Sequence, residues 1–437
     1  MKHKDNILIL NFASQNTQLI ARRIRELKVF SEVLPYDVPF EKIVSLNPKG
    51  IILSGEDCFS PIVTKLNETQ IPILDLCFNK IHDDKFSVVE SHHTEGEYRI
   101  LSDFLFETCN CEPNWNLNSW LDDKIKCIAE EISSGHVLCG LSGGVDSSVA
   151  ASIVSRAVGS IINFDCIFVN HGLLRLGEAE QVLKDYESMN LRVHYVDASD
   201  RFLEALSGVT EPERKRKIIG ETFIRVFEDE AGKICKNSNS DVNWLLQGTV
   251  YPDVIESGQK GKSETVIKTH HNVGGLPEDM NFQLLEPLRD LFKDEVRQIG
   301  RLLGVPERII SRHPFPGPGL AVRCLGEITK QRLDILRKAD AIFIDEIRKA
   351  NLYDKIWQAF CVLLPVKSVG VTGGTRIYGD VIALRAIEST DAMTANWFRL
   401  PYDILDSTAK RICNEIEEIS RVVYDITGKP PATIEWE

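Results

Sequence analysis

This chain has no excess of basic residues. Its 437 residues carry 51 Lys and Arg against 64 Asp and Glu, a formal net charge of −13. General nucleic-acid binding needs cations to neutralise phosphates and is excluded by that balance, so basic residues gathered in one place must serve a local anion. No apolar stretch approaches the length of a membrane span. Eleven cysteines include no Cys-x-x-Cys pair, and an odd number without a framework reads as reduced thiols in a cytoplasmic protein. The first residues, Met1 to Asn6, run straight into an apolar strand and show no signal-peptide pattern. Adjacent His270 and His271 lack the accompanying Cys/His cluster that a zinc site requires. What remains is an ordinary globular composition, 43% apolar and 26% charged, in a chain long enough for two or three domains.

The most informative run is Leu141-Ser142-Gly143-Gly144-Val145-Asp146-Ser147-Ser148, between the apolar His136–Cys139 and the helical pattern Val149–Val154. A strand that turns through glycine into a helix N-terminus presents unpaired N–H groups and the positive end of the helix dipole to an anion. Gly143 and Gly144 allow close approach of the backbone to a phosphate, and the Ser142, Ser147 and Ser148 hydroxyls add donors. Asp146 among phosphates is unfavourable unless a divalent cation lies between them. The Gly pair is not followed by Gly-Lys-Ser/Thr, so this is no Walker A loop. An ordinary Ser/Gly turn is the plain alternative, but Gly-Gly, Asp and two Ser in register speak against it. The run resembles the SGGxDS pyrophosphate loop of the N-type ATP pyrophosphatases, which cleave ATP between its α and β phosphates. That resemblance implies an ATP site at Ser142, Gly143, Gly144, Val145, Asp146, Ser147 and Ser148.

From residue 135 strands alternate with helices: Phe164–Val169, then Glu178–Met189, then Leu191–Val196, with Trp244–Gly248 later. The pattern predicts an α/β doubly wound parallel sheet whose ligands lie beyond the strands' C-terminal ends. Asn170-His171-Gly172-Leu173-Leu174-Arg175 follows Val169 and resembles the pyrophosphatases' adenosine-side loop, adding Val169, His171 and Arg175 to the ATP set; read alone, His171 is equally a capped loop residue. The cationic run Arg214-Lys215-Arg216-Lys217 opens a helix, where Arg214 or Arg216 can face an anion or simply solvent. Asp253, Glu256, Lys268, His270 and His271 flank a polar, Gly-rich stretch that reads as a lid over charged reactants.

Residues 1–110 read as a smaller α/β domain, with strands at Ile7–Leu10, Gly50–Gly55 and Ile71–Leu74 and a helix over Thr17–Leu27. Asn11 to Arg23 resembles the start of class I glutamine amidotransferase domains, in which a cysteine nucleophile sits on an elbow flanked by glycines. Cys77 has Asp75 and Asn79 there, Glu56 follows Ser54-Gly55 in the oxyanion turn, and Val88-Val89-Glu90 occupies the place of the catalytic His-Pro-Glu. A thiol without a general base is a weak nucleophile, so this segment reads as a shortened, degenerate amidotransferase with Cys77 inactive.

Ser311 to Arg323, with its Arg312-His313-Pro314-Phe315-Pro316-Gly317-Pro318-Gly319, and the closing Gly428 to Glu437 resemble the GMP synthetase family. The resemblance implies a pyrophosphatase domain over 111–312 and a C-terminal α+β dimerisation and XMP-binding domain over 313–437. XMP would meet Arg214, Arg216, Arg376, Lys429, Ile434 and Glu435. Mg²⁺ held near Asp146 is the implied cofactor. ATP, XMP and ammonia are the implied partners, in a homodimer, with a separate glutaminase subunit left open. The activity implied is ATP-dependent amination of XMP through an adenylated base. Another pyrophosphatase-loop ligase and a non-catalytic paralogue are the rival readings.

Overall fold

The computed structural model describes residues 5–12, 14, 16–55, 60–77, 95–132, 135–159, 163–238, 242–259, 282–389, 392 and 394–437. In chain order its elements are β1 (Asn6–Phe12), α1 (Thr17–Glu26), β2 (Phe30–Pro35), α2 (Phe40–Leu46), β3 (Gly50–Gly55), α3 (Pro61–Asn67), β4 (Ile73–Cys77), α4 (Glu95–Asp103) and α5 (Leu117–Glu131). Next come β5 (His136–Leu141), α6 (Val145–Val158), β6 (Asn163–Asn170), α7 (Glu178–Ser188), β7 (Val193–Asp197), α8 (Ser199–Ala205), α9 (Pro212–Ser238), β8 (Val242–Leu246), α10 (Tyr251–Gln259) and β9 (Gln283–Leu285). The chain ends with α11 (Lys293–Leu303), α12 (Glu307–Ile310), α13 (Lys330–Lys349), β10 (Gln358–Thr372), β11 (Thr375–Glu388), β12 (Asn396–Trp397), α14 (Tyr402–Glu415) and β13 (Ile419–Tyr424).

Two compact units result: Met1–Ser133 with Gly248–Ile267 and Glu286–Leu303, and Ser134–Gln247 with Lys268–Leu285 and Gly304–Glu437. These groupings depart from the segments read along the sequence. Residues 111–133 and α11 join the first unit, and 313–437 shares a unit with the strand that leads into Ser142–Ser148.

The second unit contains a parallel sheet in the order β7-β6-β5-β8-β9. The chain leaves β5 toward β6 and β7, then returns to add β8 and β9 on the other side. The strand order therefore switches beside β5, the position from which doubly wound sheets bind ligands. A second sheet is built on β10 and β11, antiparallel partners, with β13 parallel to β11. Sequence periodicity caught only the apolar ends of this hairpin, 359–364 and 381–387. The two strands in fact run to Thr372 and from Thr375, joined by Gly373-Gly374, both at positive φ as a two-residue hairpin turn requires.

One core spans both sheets. Leu138, Ile167 and Phe202 pack continuously with Leu320, Ala321 and Cys324, and these with Leu333 and Phe343 of α13 and Leu363 and Leu384 of the hairpin. The Pro/Gly run at 314–319 leads into this core rather than across an exposed linker: Leu320, Ala321 and Val322 are fully buried, and Leu320 N–H donates to the Leu173 carbonyl at 2.8 Å.

In the first unit β2-β1-β3-β4 is parallel throughout. Alternate residues of β1 serve opposite faces: Leu8 and Leu10 meet Ile51, Leu53, Ile43 and Leu66, while Ile7 and Ile9 meet Ile24, Phe104, Tyr251 and Phe292. Arg25 is buried on the second face, stacked 4.0 Å from the Phe30 ring and 4.4 Å from the Trp115 ring. Its guanidinium lies 3.3 Å from the Glu295 carboxylate, which also accepts from the Trp115 indole at 2.7 Å and the Phe292 amide at 2.9 Å. Glu295→Ala strands a buried cation and two donors together. We expect a loss of about 3–5 kcal/mol of unfolding free energy, read as a shifted denaturant midpoint. A loss below 1 kcal/mol, the size expected of an exposed pair, would show that the pair is solvated.

Candidate functional site

Residues Val149, Ala150, Ala151, Ile153 and Val154 are fully buried, so packing alone aims the N-terminus of α6 at the end of β5. Gly144 caps that helix with no side-chain cap bond. Gly143 sits at φ +76°, and a Cβ there would stand 3.0 Å from an Arg312 nitrogen and 3.1 Å from a Val182 methyl. The loop is organised by its own hydroxyls. Ser142 and Ser147 Oγ lie 3.2 Å apart, Ser142 Oγ accepts from Gly144 N–H at 3.3 Å, and Ser148 Oγ donates to the Gly144 carbonyl at 2.7 Å. Val145 is buried, and Asp146 is half-buried in the first helical turn. All seven loop residues are thus brought together at the switch point.

Two residues that sequence reasoning gave no role hold the loop from behind. Tyr186 of α7 is fully buried and its phenol is pushed up by burial; it accepts from Gly143 N–H at 3.0 Å and lies 3.2 Å from Ser148 Oγ. Arg312 donates to the Gly143 carbonyl at 2.8 Å.

β6 delivers buried Val169 and then the loop 170–175. His171 is buried, its Nδ1 accepting from Leu173 N–H at 3.0 Å, and burial depresses its pKa to about 4. The geometry is that of a capped loop residue. A Cβ on Gly319 would come within 2.4 Å of the Leu173 carbonyl, so the Pro/Gly run is closed tightly onto this loop. Arg337 of α13 donates to the Leu174 carbonyl at 2.9 Å. Arg175 lies 3.3 Å from Asp340 of α13 and donates to the Ala359 carbonyl at 3.2 Å, which commits its guanidinium to the C-terminal module.

The C-terminal residues are gripped by buried cations. Arg385 of β11, fully buried, donates to the carbonyls of Ile434 at 2.7 Å, Thr433 at 2.9 Å and Thr427 at 3.0 Å and pairs with Asp425 at 2.6 Å. Arg323, also fully buried, holds Glu435 through two bonds of 3.0 and 2.8 Å, and Gln358 donates to the same carboxylate at 2.9 Å. Lys215, the middle of the cationic run, is buried against the Cys324 carbonyl at 3.0 Å and Glu437 Oε2. Arg216 donates to the Glu437 carbonyl, and Lys429 Nζ to the Ala392 carbonyl at 2.8 Å. Ile434, Glu435 and Arg216 therefore converge on one stretch. Arg214 is exposed, with its own N–H bonded to Glu211. Arg376 does not join them: it is exposed near the hairpin tip, nine residues before Arg385 on one strand, or about 30 Å at a rise of about 3.3 Å per residue.

Asp253 lies in the first unit, exposed, accepting from Val250 N–H at 3.2 Å and so capping α10. The Glu256 side chain and all of Lys268, His270 and His271 lie outside the described residues, as do Glu56, Asn79 and Val88 and the side chain of Cys77. The backbone of Cys77 ends β4 in register with Gly55, where a Cβ would stand 2.4 Å from Phe12 Cβ. Among the described residues no group of three or more His, Cys, Asp or Glu could hold a metal ion, and no helix is long and apolar enough to cross a membrane.

Residues 345–436 match the family description "GMP synthase C terminal domain", and residues 8–78 match "Glutamine amidotransferase class-I". A curated relative from Aquifex aeolicus, named GMP synthase [glutamine-hydrolyzing], is 47% identical over 514 positions, covering 99% of this chain and 99% of its own. One of the same name from Carboxydothermus hydrogenoformans is 46% identical over 517 positions with the same coverage of both. The chain belongs to the GMP synthase family. Since 514 aligned positions face 437 residues, at least 77 positions of the Aquifex GMP synthase have no counterpart here. Among solved structures, an NMN synthetase from Francisella tularensis is similar at 15% identity and TM-score 0.34, covering 55% of this chain and 93% of its own.

His313, at the head of the Pro/Gly run, shares the condition of His171. Its Nδ1 accepts from Ala359 N–H at 3.2 Å, its Nε2 lies 2.9 Å from the Tyr353 carbonyl, and burial lowers its pKa to about 4. Both imidazoles are neutral in the folded chain down to about pH 4, whereas an unfolded histidine charges near pH 6.5. Their neutral-state stability is complete above pH 6.5 and declines as pH falls toward 4, by about 3 kcal/mol for each. We expect His171→Asn to remove about half of the acid slope of unfolding free energy that the two produce between pH 6.5 and 4. An unchanged slope would mean that folded His171 already binds its proton.

Proposed function

We propose that this chain converts XMP to GMP with ATP and ammonia, through an adenylated XMP, releasing pyrophosphate and AMP. The observation that carries the reading is the loop Ser142–Ser148, set at the N-terminus of a buried helix beside the sheet's switch point and in one unit with the C-terminal residues. ATP lies on that loop with its adenosine toward 169–175. XMP O2 attacks the α phosphorus, the α–β bridge breaks, and pyrophosphate leaves into amides and hydroxyls that stabilise the growing charge. Ammonia then attacks C2, loses a proton and expels AMP.

Glu435 suits the ring N–H groups of XMP, because Arg323 and Gln358 fix its direction. Arg216 and Lys429 are cations for its phosphate, and Arg214 adds positive potential at the start of α9. Asp253, Glu256, Lys268, His270 and His271 supply the lid's charge neutralisation and proton transfer.

Mg²⁺ fits the donor types of the loop: a single carboxylate, Asp146 in the first turn of α6, and the hydroxyls of Ser142 and Ser147, all hard oxygen donors. One carboxylate is what a cation held mainly by substrate phosphates needs. When bound, it neutralises phosphate charge; Asp146 orients it.

Ammonia rather than glutamine is the proposed nitrogen donor. The curated relatives are named glutamine-hydrolyzing, and the amidotransferase description matches only as far as residue 78. The support is residue by residue: Asp75 and Asn79 flank Cys77, Glu56 stands in the oxyanion turn and Val88 at the base position.

A homodimer through 325–437 completes the reading. Val366, Val369, Val371 and Tyr378 are exposed along the hairpin, between 45% and 75% accessible, and Arg376 there can serve only a site that its own tail does not reach. Light scattering at micromolar concentration should give twice the chain mass, and a monomer mass would end the proposal.

The deciding assay supplies ATP, XMP and Mg²⁺ with either ammonium or glutamine, free ammonium being controlled. GMP is expected with ammonium alone, increasing with pH as free ammonia rises, and unaffected by Cys77→Ala. Asp146→Asn should lower single-turnover adenylation about 10²-fold or more, several kcal/mol of barrier, in a folded protein. Stoichiometric glutamate and GMP from glutamine, abolished by Cys77→Ala, would overturn the ammonia reading.

A further inference from the structure

The two loops assigned to ATP are joined by Glu178, the first residue of α7. One of its oxygens accepts from the Arg175 amide of the adenosine-side loop at 2.8 Å. The other pairs with Arg312. Arg312 in turn donates to the Gly143 carbonyl of the pyrophosphate loop at 2.8 Å. The Glu178 and Arg312 side chains are only 9% and 17% accessible, so the pair is largely shielded from water and from screening. Two turns along α7, Tyr186 takes the Gly143 N–H. The backbone at Gly143 is therefore held on both sides by α7, directly through Tyr186 and through Glu178 by way of Arg312.

The Gly143 carbonyl and the Gly144 N–H belong to one peptide plane and point opposite ways. The Gly144 N–H is already held by Ser142 Oγ at 3.3 Å within the loop, so what the guanidinium on the carbonyl adds is a tie from that plane to α7. At φ +76° Gly143 has no Cβ to restrict it, so the plane is set by these contacts rather than by the residue itself.

We propose that Glu178 and Arg312 form a strut that sets the spacing of the two ATP loops before the nucleotide arrives; this rests on the ATP site proposed above. They are positioning residues and make no contact with the reacting atoms. Their action has a particular signature. ATP joins adenosine to polyphosphate covalently and must satisfy both loops at once, so it gains from loops already spaced. AMP and inorganic pyrophosphate each use one loop and are indifferent to the spacing.

The experiment titrates the full chain, wild type and variants, with ATP–Mg²⁺, with AMP, and with pyrophosphate–Mg²⁺. Arg312→Lys keeps the charge but loses the forked geometry, and Glu178→Gln keeps an acceptor for the Arg175 amide but loses the ion pair. Each should weaken ATP roughly 10- to 100-fold, the scale of one buried charge-assisted bond, and the double variant should be no worse than either alone. AMP and pyrophosphate should change less than about threefold, within the ordinary scatter of a distant substitution. A thermal midpoint for each variant confirms a folded chain, and the two independent substitutions guard against loss of either. Parallel loss of AMP or pyrophosphate with ATP would reduce the pair to local support of one loop, and unchanged ATP affinity would remove the strut altogether. Wild-type protein that binds none of the three would instead overturn the ATP site itself.

Discussion

Buried cations must find acceptors, and in the second unit the acceptors come from the last residues of the chain. Arg323, Arg385 and Lys215 are each fully shielded from solvent. Removing a charge from water costs several kcal/mol unless it is paired and its donors are satisfied. Arg385 finds four acceptors between Asp425 and Ile434, Arg323 finds both oxygens of Glu435, and Lys215 finds Glu437. The stretch 425–437 has almost no regular structure, yet it cannot lift away without leaving three naked charges in the core. A segment that looks like a loose tail is thereby as firmly specified as a strand. Residues proposed to read a base, Glu435 above all, inherit that rigidity.

The nucleotide side follows a different economy. Here the sheet's topology does the positioning: β5 sits at the strand-order switch, and a helix buried along its length leaves only one direction for its N-terminus. Glycine supplies the turn. Long polar side chains, Arg312, Tyr186 and Arg337, reach the loops from behind and hold their backbone, so the faces proposed to meet ligand stay lined by amides and small hydroxyls. Bulk sits at the back of the site and freedom of approach at the front.

Much of this was legible in the sequence, and the parts that were not share a cause. Strands of continuous apolar residues, such as Ile7–Leu10 and Phe164–Val169, declare themselves because both faces of a parallel sheet are covered. The Ser142–Ser148 loop declares itself because its chemistry is compressed into seven adjacent residues. Phe30–Pro35 was missed because its alternation is broken by Ser31 and Glu32, which a tertiary contact with Arg25 explains for Ser31. The outer halves of β10 and β11 were missed because they face solvent and their apolar alternation, Val369 and Val371, is brief and set among Lys, Ser and Gly; only Gly373-Gly374 signalled the turn. The compact units cut across the segments read along the sequence for a related reason. Compactness depends on contacts such as Arg25 with Glu295, 270 residues apart in sequence, which no local pattern reports. Tyr186 and Glu178 carry no signal either, since each looks like an ordinary helix residue until the loop it supports is in place.

The acidity of the chain acquires a second meaning in this light. A net charge of −13 suggested that any cluster of cations must face a local anion, and the run at 214–217 was the obvious cluster. The chain supplies anions of its own: Lys215 is met by Glu437, Arg216 by Glu213, Arg323 by Glu435, Arg175 by Asp340 and Arg25 by Glu295. Cations withdrawn into such pairs add little to the field a ligand feels at a distance, so a phosphate approaching this surface gains little from long-range steering. It must be recognised at contact, by amides and hydroxyls whose dipoles are fixed in advance. For a nucleotide site on an acidic protein, geometry has to supply what net charge does not, which is why so much of the buried structure behind the loops is devoted to holding backbone in place.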